Sequence, residues 1–386
     1  MSKIRLGIIG IGNMGTGHAK YLIKNEVPNV ELVAVCDISD ERLKWAKENL
    51  GEKIQTFNNP DALFEARAVD AVLVATPHYD HPTLAIKAFK YGLHVLIEKP
   101  AGVYTKQVRE MNEVAAKSGK VFGIMYNQRT NPLFQKLRDL VQSGELGDLK
   151  RTNWIITNWY RPQSYFDSGG WRATWDGEGG GTLINQNPHN LDLWQWTCGM
   201  PIRVRAFCGF GKYHNIEVED DVTAYVEYEN GATGVYVTST ADAPGTNRFE
   251  VTGNNGKIVI EDDKMTFWRL RVSERKFNSE WTGGFGKPEC WKCEIPIEGK
   301  ETKHPGIMAN FANAVLKGTP LLAPGIEGIN GLQISNAIHL SAWTDNWVDI
   351  PVNEELYYEK LQEKIKSSTF KKEVKPVKTL DIKGTH

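Results

Sequence analysis

An apolar run that breaks into Gly10-Ile-Gly12-Asn-Met-Gly15 constrains this chain more than any other segment. Arg5–Ile9 reads as a strand, and the stretch from Thr16 to Lys24 can be helical. In such a strand–turn–helix unit each glycine has its own reason. Gly10 permits the tight turn out of the strand, Gly12 lets the backbone approach a pyrophosphate, and Gly15 lets the helix pack close to the strand. The helix N-terminus then offers unpaired N–H groups to the phosphates, with Asn13 and Met14 in the same loop. Roughly twenty residues further on, the spacing such a site requires, Val30–Cys36 ends at Asp37. An acid at the tip of the second strand accepts hydrogen bonds from the adenosine ribose and repels a 2′-phosphate. The cofactor expected is therefore NAD rather than NADP, although Arg42 lies close enough in sequence to meet a 2′-phosphate.

The pattern that follows supports an α/β reading. Apolar runs at Ala71–Ala75, His94–Ile97 and Val121–Met125 alternate with amphipathic stretches such as Asp40–Leu50, Thr83–Tyr91 and Lys106–Lys117. Strands that are apolar throughout and separated by helices imply a doubly wound parallel sheet of the Rossmann type, covered on both faces. Ligands bind beyond the carboxyl ends of such strands, where Thr76-Pro77 and Glu98-Lys99-Pro100 fall. Residues 1–127 are expected to form this unit. After Asn127 the texture changes to a helix over Asn131–Ser143, then longer alternating strands between Leu149 and Glu261 with turn signals at Asn230-Gly231 and Asn254-Asn255-Gly256. Residues 128–350 are expected to form an α+β domain with a large open, mainly antiparallel sheet suited to self-association. Helices are expected around Gly306–Lys317 and Gly325–Ser341, and residues 351–386 read as a surface helix with a loose tail.

Composition narrows the function classes. A chain of 386 residues is long for one hydrophobic core. A net charge of −1 leaves no electrostatic footprint for nucleic acid or an anionic membrane. No apolar run is long enough to span a bilayer and no signal peptide precedes the first strand, so a cytoplasmic protein is expected. The five cysteines are scattered, and Cys290-Trp-Lys-Cys293 has no second pair to complete a metal site, so no metal is expected.

Two constellations could carry chemistry. Lys99 stands between Glu98 and Pro100, and the proline disfavours helical geometry at the lysine, which aims its ammonium into the crevice. There it could bind a substrate hydroxyl and stabilise the alkoxide, with desolvation lowering its pKa. The second constellation runs from Trp171 through Trp175, Gly179-Gly-Gly, Asn185, Asn187-Pro188 and His189 to Asp192. Asn187-Pro188 resembles an N-cap followed by proline at the first helical position. On that reading His189 lies in the first turn, neutral and suited to a general base, with Asp192 on the same face. Tyr160, Arg161, Trp171, Trp175, Asn185 and Asp192 suit a sugar, rings stacking on its C–H faces and polar groups bonding its hydroxyls; the competing use of the tryptophans is core filling.

Gly10-x-Gly12-x-x-Gly15, Ala75-Thr76-Pro77-x-x-x-His81, Glu98-Lys99-Pro100 and the Gly-Gly-Gly…His189-x-x-Asp192 block, in this order, resemble the glucose–fructose oxidoreductase, inositol dehydrogenase and MocA-like family. The resemblance covers nearly the whole chain. It implies NAD(P)-linked chemistry at a secondary alcohol of a cyclic sugar or inositol, and a homodimer or homotetramer assembled through the open sheet. It further implies that Lys99 contacts the reacting hydroxyl and that His189 is the acid/base. Glu98 would position the nicotinamide end, with Thr76, Pro77, His81 and Asn127 lining the cofactor. One departure stands out. Many inositol and glucose members carry Asp four residues before the histidine, where this chain has Asn185, which can orient a hydroxyl but cannot take its proton. The Trp-Arg-x-Thr-Trp and Asn-Gln-x-Pro-His segments look most similar to members from bacteria that degrade glycosides, some of which oxidise a glucoside at the sugar C3 hydroxyl to a 3-keto product. The alternatives are a glycosidase that oxidises transiently and eliminates, and a dinucleotide-binding regulator without turnover.

Overall fold

A computed structural model describes residues 2–372 of the chain. Its first sheet is parallel, with strands β1 (Ile4–Ile9), β2 (Val30–Cys36), β3 (Gln55–Phe57), β4 (Ala71–Val74), β5 (His94–Ile97) and β6 (Phe122–Ile124). The spatial order is β3-β2-β1-β4-β5-β6, so the winding reverses between β1 and β4 and opens a crevice at the carboxyl ends of those strands. All four residues of β4 are buried, as a strand covered on both faces requires. Leu6, Ile8, Leu73, Val95 and Leu96 are fully buried here, each contributing about 1.5–3 kcal/mol of apolar transfer to a rigid crevice floor.

The second sheet contains β7 (Leu149–Ile156), β8 (Arg203–Phe210), β9 (Glu219–Glu227), β10 (Thr233–Ser239), β11 (Asn247–Gly253), β12 (Gly256–Glu261), β13 (Lys264–Leu270), β14 (Cys290–Glu294) and β15 (Val348–Asp349). Its order is β14-β13-β12-β11-β7-β10-β9-β8-β15. All neighbours are antiparallel except β7 and β10, so the sheet is mixed and mostly antiparallel. Burial alternates along β9, as expected when only one face is covered. The covered face packs on the helices Pro132–Gln142, Pro188–Cys198 and Gly328–Thr344, around Trp154 stacked on Phe249 and Trp194 stacked on Tyr236.

One expectation about a segment is corrected. The helix Lys303–Lys317, assigned to the second unit, buries Ile307, Met308 and Phe311 in the core of the first sheet. Its apolar stripe faces that sheet, and the Ile124 amide bonds the Ala323 carbonyl just beyond it. The helix Glu354–Ser367 lies on the surface as expected and docks through Tyr357 and Leu361, which are fully buried in the second core. The tail expected at 373–386 lies outside the described residues. Cys290 and Cys293 sit on the edge strand β14, opposite Leu270 and Phe267. Among the described residues no group of three His, Cys, Asp or Glu side chains is placed to hold a metal. No described helix is long and apolar enough to cross a membrane.

Candidate active site

The glycine loop has the geometry its sequence requires. Gly10 has φ +88°, and a side chain at Gly15 would strike the Gly10 carbonyl oxygen at 1.9 Å. A side chain at Gly12 would meet nothing within 4 Å, so open space lies above that backbone. The helix it begins, Asn13–Ile23, carries no acid in its first turn and no side-chain cap, leaving its N–H groups free for an anion. Asp37 directly follows β2 and accepts from the Ile11 amide at 2.8 Å and the Ser39 amide at 2.9 Å, so it also braces the loop. The Arg42 guanidinium is engaged by the Ile11 carbonyl and by Thr16 Oγ1 at 2.5 Å, which draws it onto the loop.

At the end of β5, Glu98 is buried and lies 2.5 Å from His18 Nε2, whose Nδ1 is 2.8 Å from the Tyr21 hydroxyl. Burial alone would raise the Glu98 carboxyl. The His18 hydrogen bond and the interactions with His18, His304 and Lys99 outweigh it and hold the group at about 2. His304 stands with its ring 5.5 Å from that of His18, and burial pushes it down to about 4. Lys99 precedes a cis Pro100 and donates from Nζ to the Asn185 carbonyl at 2.9 Å. Burial lowers its pKa; Glu98 opposes that shift and Arg172 adds to it.

His189 is in the first turn of the helix Pro188–Cys198, with its ring 6.1 Å from Tyr126. Burial first, then Lys99 and His304, drive its pKa well below the ordinary histidine value, so the imidazole is neutral. Asn187 occupies the cap position but does not cap. Its side chain bonds Thr182 and Thr238, both at 2.8 Å, and accepts from Tyr236 at 3.0 Å. The positive end of the helix is thus left uncapped beside His189, which also disfavours a second positive charge.

Around Asn185 a further network forms. Its amide nitrogen donates to Glu178 Oε1, and its Oδ1 accepts from the Tyr165 hydroxyl at 3.3 Å. Arg172 donates to that hydroxyl at 2.9 Å, and Gln186 at 3.2 Å. Burial raises the Glu178 carboxyl, against the Arg172 charge and hydrogen bonds from Ala173 and Asn185.

The structure thus gathers Glu98, Lys99, Asn185 and His189 at one end of the crevice. Other expected site residues go elsewhere. Asp192 is 1% exposed and held bidentately by Arg129, at 2.8 and 2.6 Å, so it belongs to a buried ion pair and not to a substrate surface. Trp175 is 3% exposed against Phe210, His339 and Trp343, which makes it a core residue. His81 is buried between the Thr76 carbonyl, 2.8 Å from Nε2, and the Pro100 carbonyl, 2.7 Å from Nδ1, and ties the ends of β4 and β5 together. Tyr160 is exposed, Arg161 lies over Trp159 and Tyr165, and Trp171 packs its edge on His78. Sequence reasoning missed His18, Tyr165, Arg172, Glu178 and His304. Only Glu178 carried a local signal, as a lone acid in the Gly177-Glu-Gly-Gly-Gly run.

The buried polar atoms without a partner within the described protein include Thr76 Oγ1, Asn127 Oδ1 and His189 Nδ1. With the open space at Gly12 and the uncapped first helix, these residues fit a dinucleotide.

Residues 4–126 match the GFO/IDH/MocA oxidoreductase family, NAD-binding Rossmann fold, and residues 134–259 match the GFO/IDH/MocA C-terminal domain. The rhizopine catabolism protein MocA of Rhizobium meliloti is 33% identical over 52% of this chain and 58% of its own length. The D-glucoside 3-dehydrogenase of Escherichia coli is 32% identical over 60% of this chain and 68% of its own. Among solved structures, the WlbA dehydrogenase from Chromobacterium violaceum, in complex with NADH and UDP-GlcNAcA, superposes with a TM-score of 0.78 at 27% identity, covering 92% of this chain and 97% of that one.

Proposed function

The chain belongs to the GFO/IDH/MocA family of oxidoreductases, and from that premise we propose that it oxidises a secondary hydroxyl of a cyclic polyol, sugar or glycoside with NAD as acceptor. The observation that carries this reading is that Lys99 bonds Asn185, four residues before the neutral His189 whose pKa its charge helps to lower, beside the dinucleotide crevice. NAD, when bound, supplies a hydride acceptor at its nicotinamide ring. Gly12, the first turn of Asn13–Ile23, Asp37, Thr76 and Asn127 would hold it. His189 takes the hydroxyl proton onto its neutral imidazole, while the Lys99 ammonium donates a hydrogen bond to the oxygen as negative charge develops there. Asn185 orients the hydroxyl, and Glu98 keeps a fixed negative charge next to Lys99.

The similarity to a D-glucoside 3-dehydrogenase makes the C3 hydroxyl of a glucoside the first position to test. The active form in this reading is a cytoplasmic homodimer or homotetramer. The register of the second sheet places Ile155, Phe207, Tyr225 and Trp268 on its uncovered face, all more than a third exposed, which is the area such an assembly would bury.

The experiment is a panel of inositols, hexoses, and methyl and aryl glucosides with NAD and with NADP, the product carbon being mapped by NMR. NADH formation with a ring ketone is expected. NADH binding without turnover across the panel overturns the reading in favour of a regulator, and release of aglycone without net NADH points to oxidation followed by elimination.

A further inference from the structure

Glu178 is 2% exposed, and no step described so far uses it. Its two oxygens serve different segments. Oε2 accepts from the Ala173 amide at 2.6 Å, and Oε1 accepts from the Asn185 side-chain amide. Ala173 has φ +54°, a left-handed conformation disfavoured for a residue with a Cβ, so the carboxylate holds a turn that would otherwise relax. Arg172, next to that turn, keeps one guanidinium nitrogen 3.9 Å from Glu178 and donates from the same nitrogen to Tyr165.

The donor and acceptor pattern leaves the Asn185 amide one orientation. The Tyr165 hydroxyl receives hydrogen bonds from Arg172 and Gln186, so its own proton goes to Asn185 Oδ1. The amide nitrogen must then face an acceptor, and Glu178 is that acceptor. The backbone carbonyl of Asn185 meanwhile receives Lys99 Nζ. One buried carboxylate thus reaches Asn185 and Arg172 directly, and Lys99 through the residue they share.

We propose that Glu178 is a positioning residue for the reaction at Lys99 and His189, acting through Asn185 and Arg172 to set how both face the substrate ring. This rests on the function proposed above. It also explains how a site with Asn at 185 keeps a carboxylate: the charge sits at 178, one hydrogen bond away.

The network prescribes its own test, because acid and amide can be exchanged. Glu178→Gln alone leaves an amide that cannot accept from both Ala173 and Asn185. Combined with Asn185→Asp, the amide at 178 accepts from Ala173 and donates to the carboxylate at 185, which still accepts from Tyr165. The two single variants and the exchange are assayed with NAD on methyl β-D-glucopyranoside and myo-inositol, NADH affinity is measured by fluorescence, and crystal structures are determined. Glu178→Gln is expected to lower kcat about 100-fold with KM and NADH affinity within about threefold, and the exchange is expected to bring kcat back to within about tenfold of the parent. The proposal is overturned if Glu178→Gln keeps kcat within twofold, or if the exchange is no faster than that single variant. Absence of turnover by the parent counts against the proposed function alone. The crystal structures then decide this inference: an Asn185 amide and Arg172 that stay in place in Glu178→Gln overturn it, and displacement that the exchange reverses supports it.

Discussion

Lys99 Nζ donates to the backbone carbonyl of Asn185 at 2.9 Å, tying the end of β5 in the first sheet to the segment that leads into His189. The ammonium is thus fixed between two units with separate cores, and its charge is balanced by Glu98 on one side and Glu178 on the other. A cation held this way is aligned before substrate arrives, which lowers the cost of organising the site during reaction.

Removal of that charge should therefore affect rate more than binding. Lys99→Ala is expected to lower kcat about 1,000-fold, within the range for a lost acid–base or oxyanion partner, with NADH affinity changed by less than about threefold. Steady-state rates and NADH fluorescence titration measure the two. A kcat within tenfold of the parent would remove Lys99 from the reacting oxygen.

The environments of His189 and Lys99 set the pH profile. His189 has a depressed pKa and is therefore the neutral base at every pH above that lowered value. The acid limb of kcat/KM should lie below pH 6.5, with a flat region from there upward. Lys99 is also depressed, so the alkaline limb should begin below pH 10.5. His189→Asn should lose about 100-fold or more in rate and with it the acid limb. An acid limb at or above pH 6.5 in the parent contradicts a buried neutral imidazole.

Cofactor choice should follow Asp37. Asp37→Ser removes the negative charge that opposes a 2′-phosphate and weakens the brace on the Ile11 and Ser39 amides. NADH binding is expected to weaken about tenfold, near the low end of what a single hydrogen bond to a charged group is worth. The NADPH-to-NADH affinity ratio is expected to rise. Paired fluorescence titrations check this, and an unchanged ratio would leave discrimination with other residues.

Asp192 should report stability and not substrate affinity. Arg129 is fully buried and is also bonded to Glu327 at 2.5 Å and the Leu322 carbonyl at 3.1 Å. Asp192→Asn removes one of the two carboxylates paired with the buried guanidinium, Glu327 remaining, which costs about 1–3 kcal/mol. Denaturant unfolding should show that loss, while KM of the folded fraction stays within about threefold. Parent-like stability with a raised KM would return Asp192 to the substrate site.

Much of the architecture was legible because it depends on local periodicity. Val30–Cys36 and His94–Ile97 are read with their observed bounds, since β-branched and apolar runs ending at turn residues leave little alternative. The edge pair β13 and β14 was not foreseen: β14 is exposed along most of its length, and β13 buries only Met265 and Phe267. Within the site, Lys99 and His189 could be picked out because each sits at a marked position, before a proline or at a helix start.

The sequence by itself determined that a dinucleotide crevice would form, because Gly10, Gly12, Gly15 and Asp37 act through backbone geometry within one βαβ unit. It also placed Lys99 at the mouth of that crevice. Only the tertiary structure decided what surrounds these groups. His18 reaches Glu98 across 80 residues, Arg129 takes Asp192 across 63, and Lys99 meets Asn185 across 86. Asp192 illustrates the reason. Helical spacing puts it near the face of His189, but a buried carboxylate goes to the nearest cation that can satisfy both its oxygens, and that cation lies in a segment no local pattern connects to it.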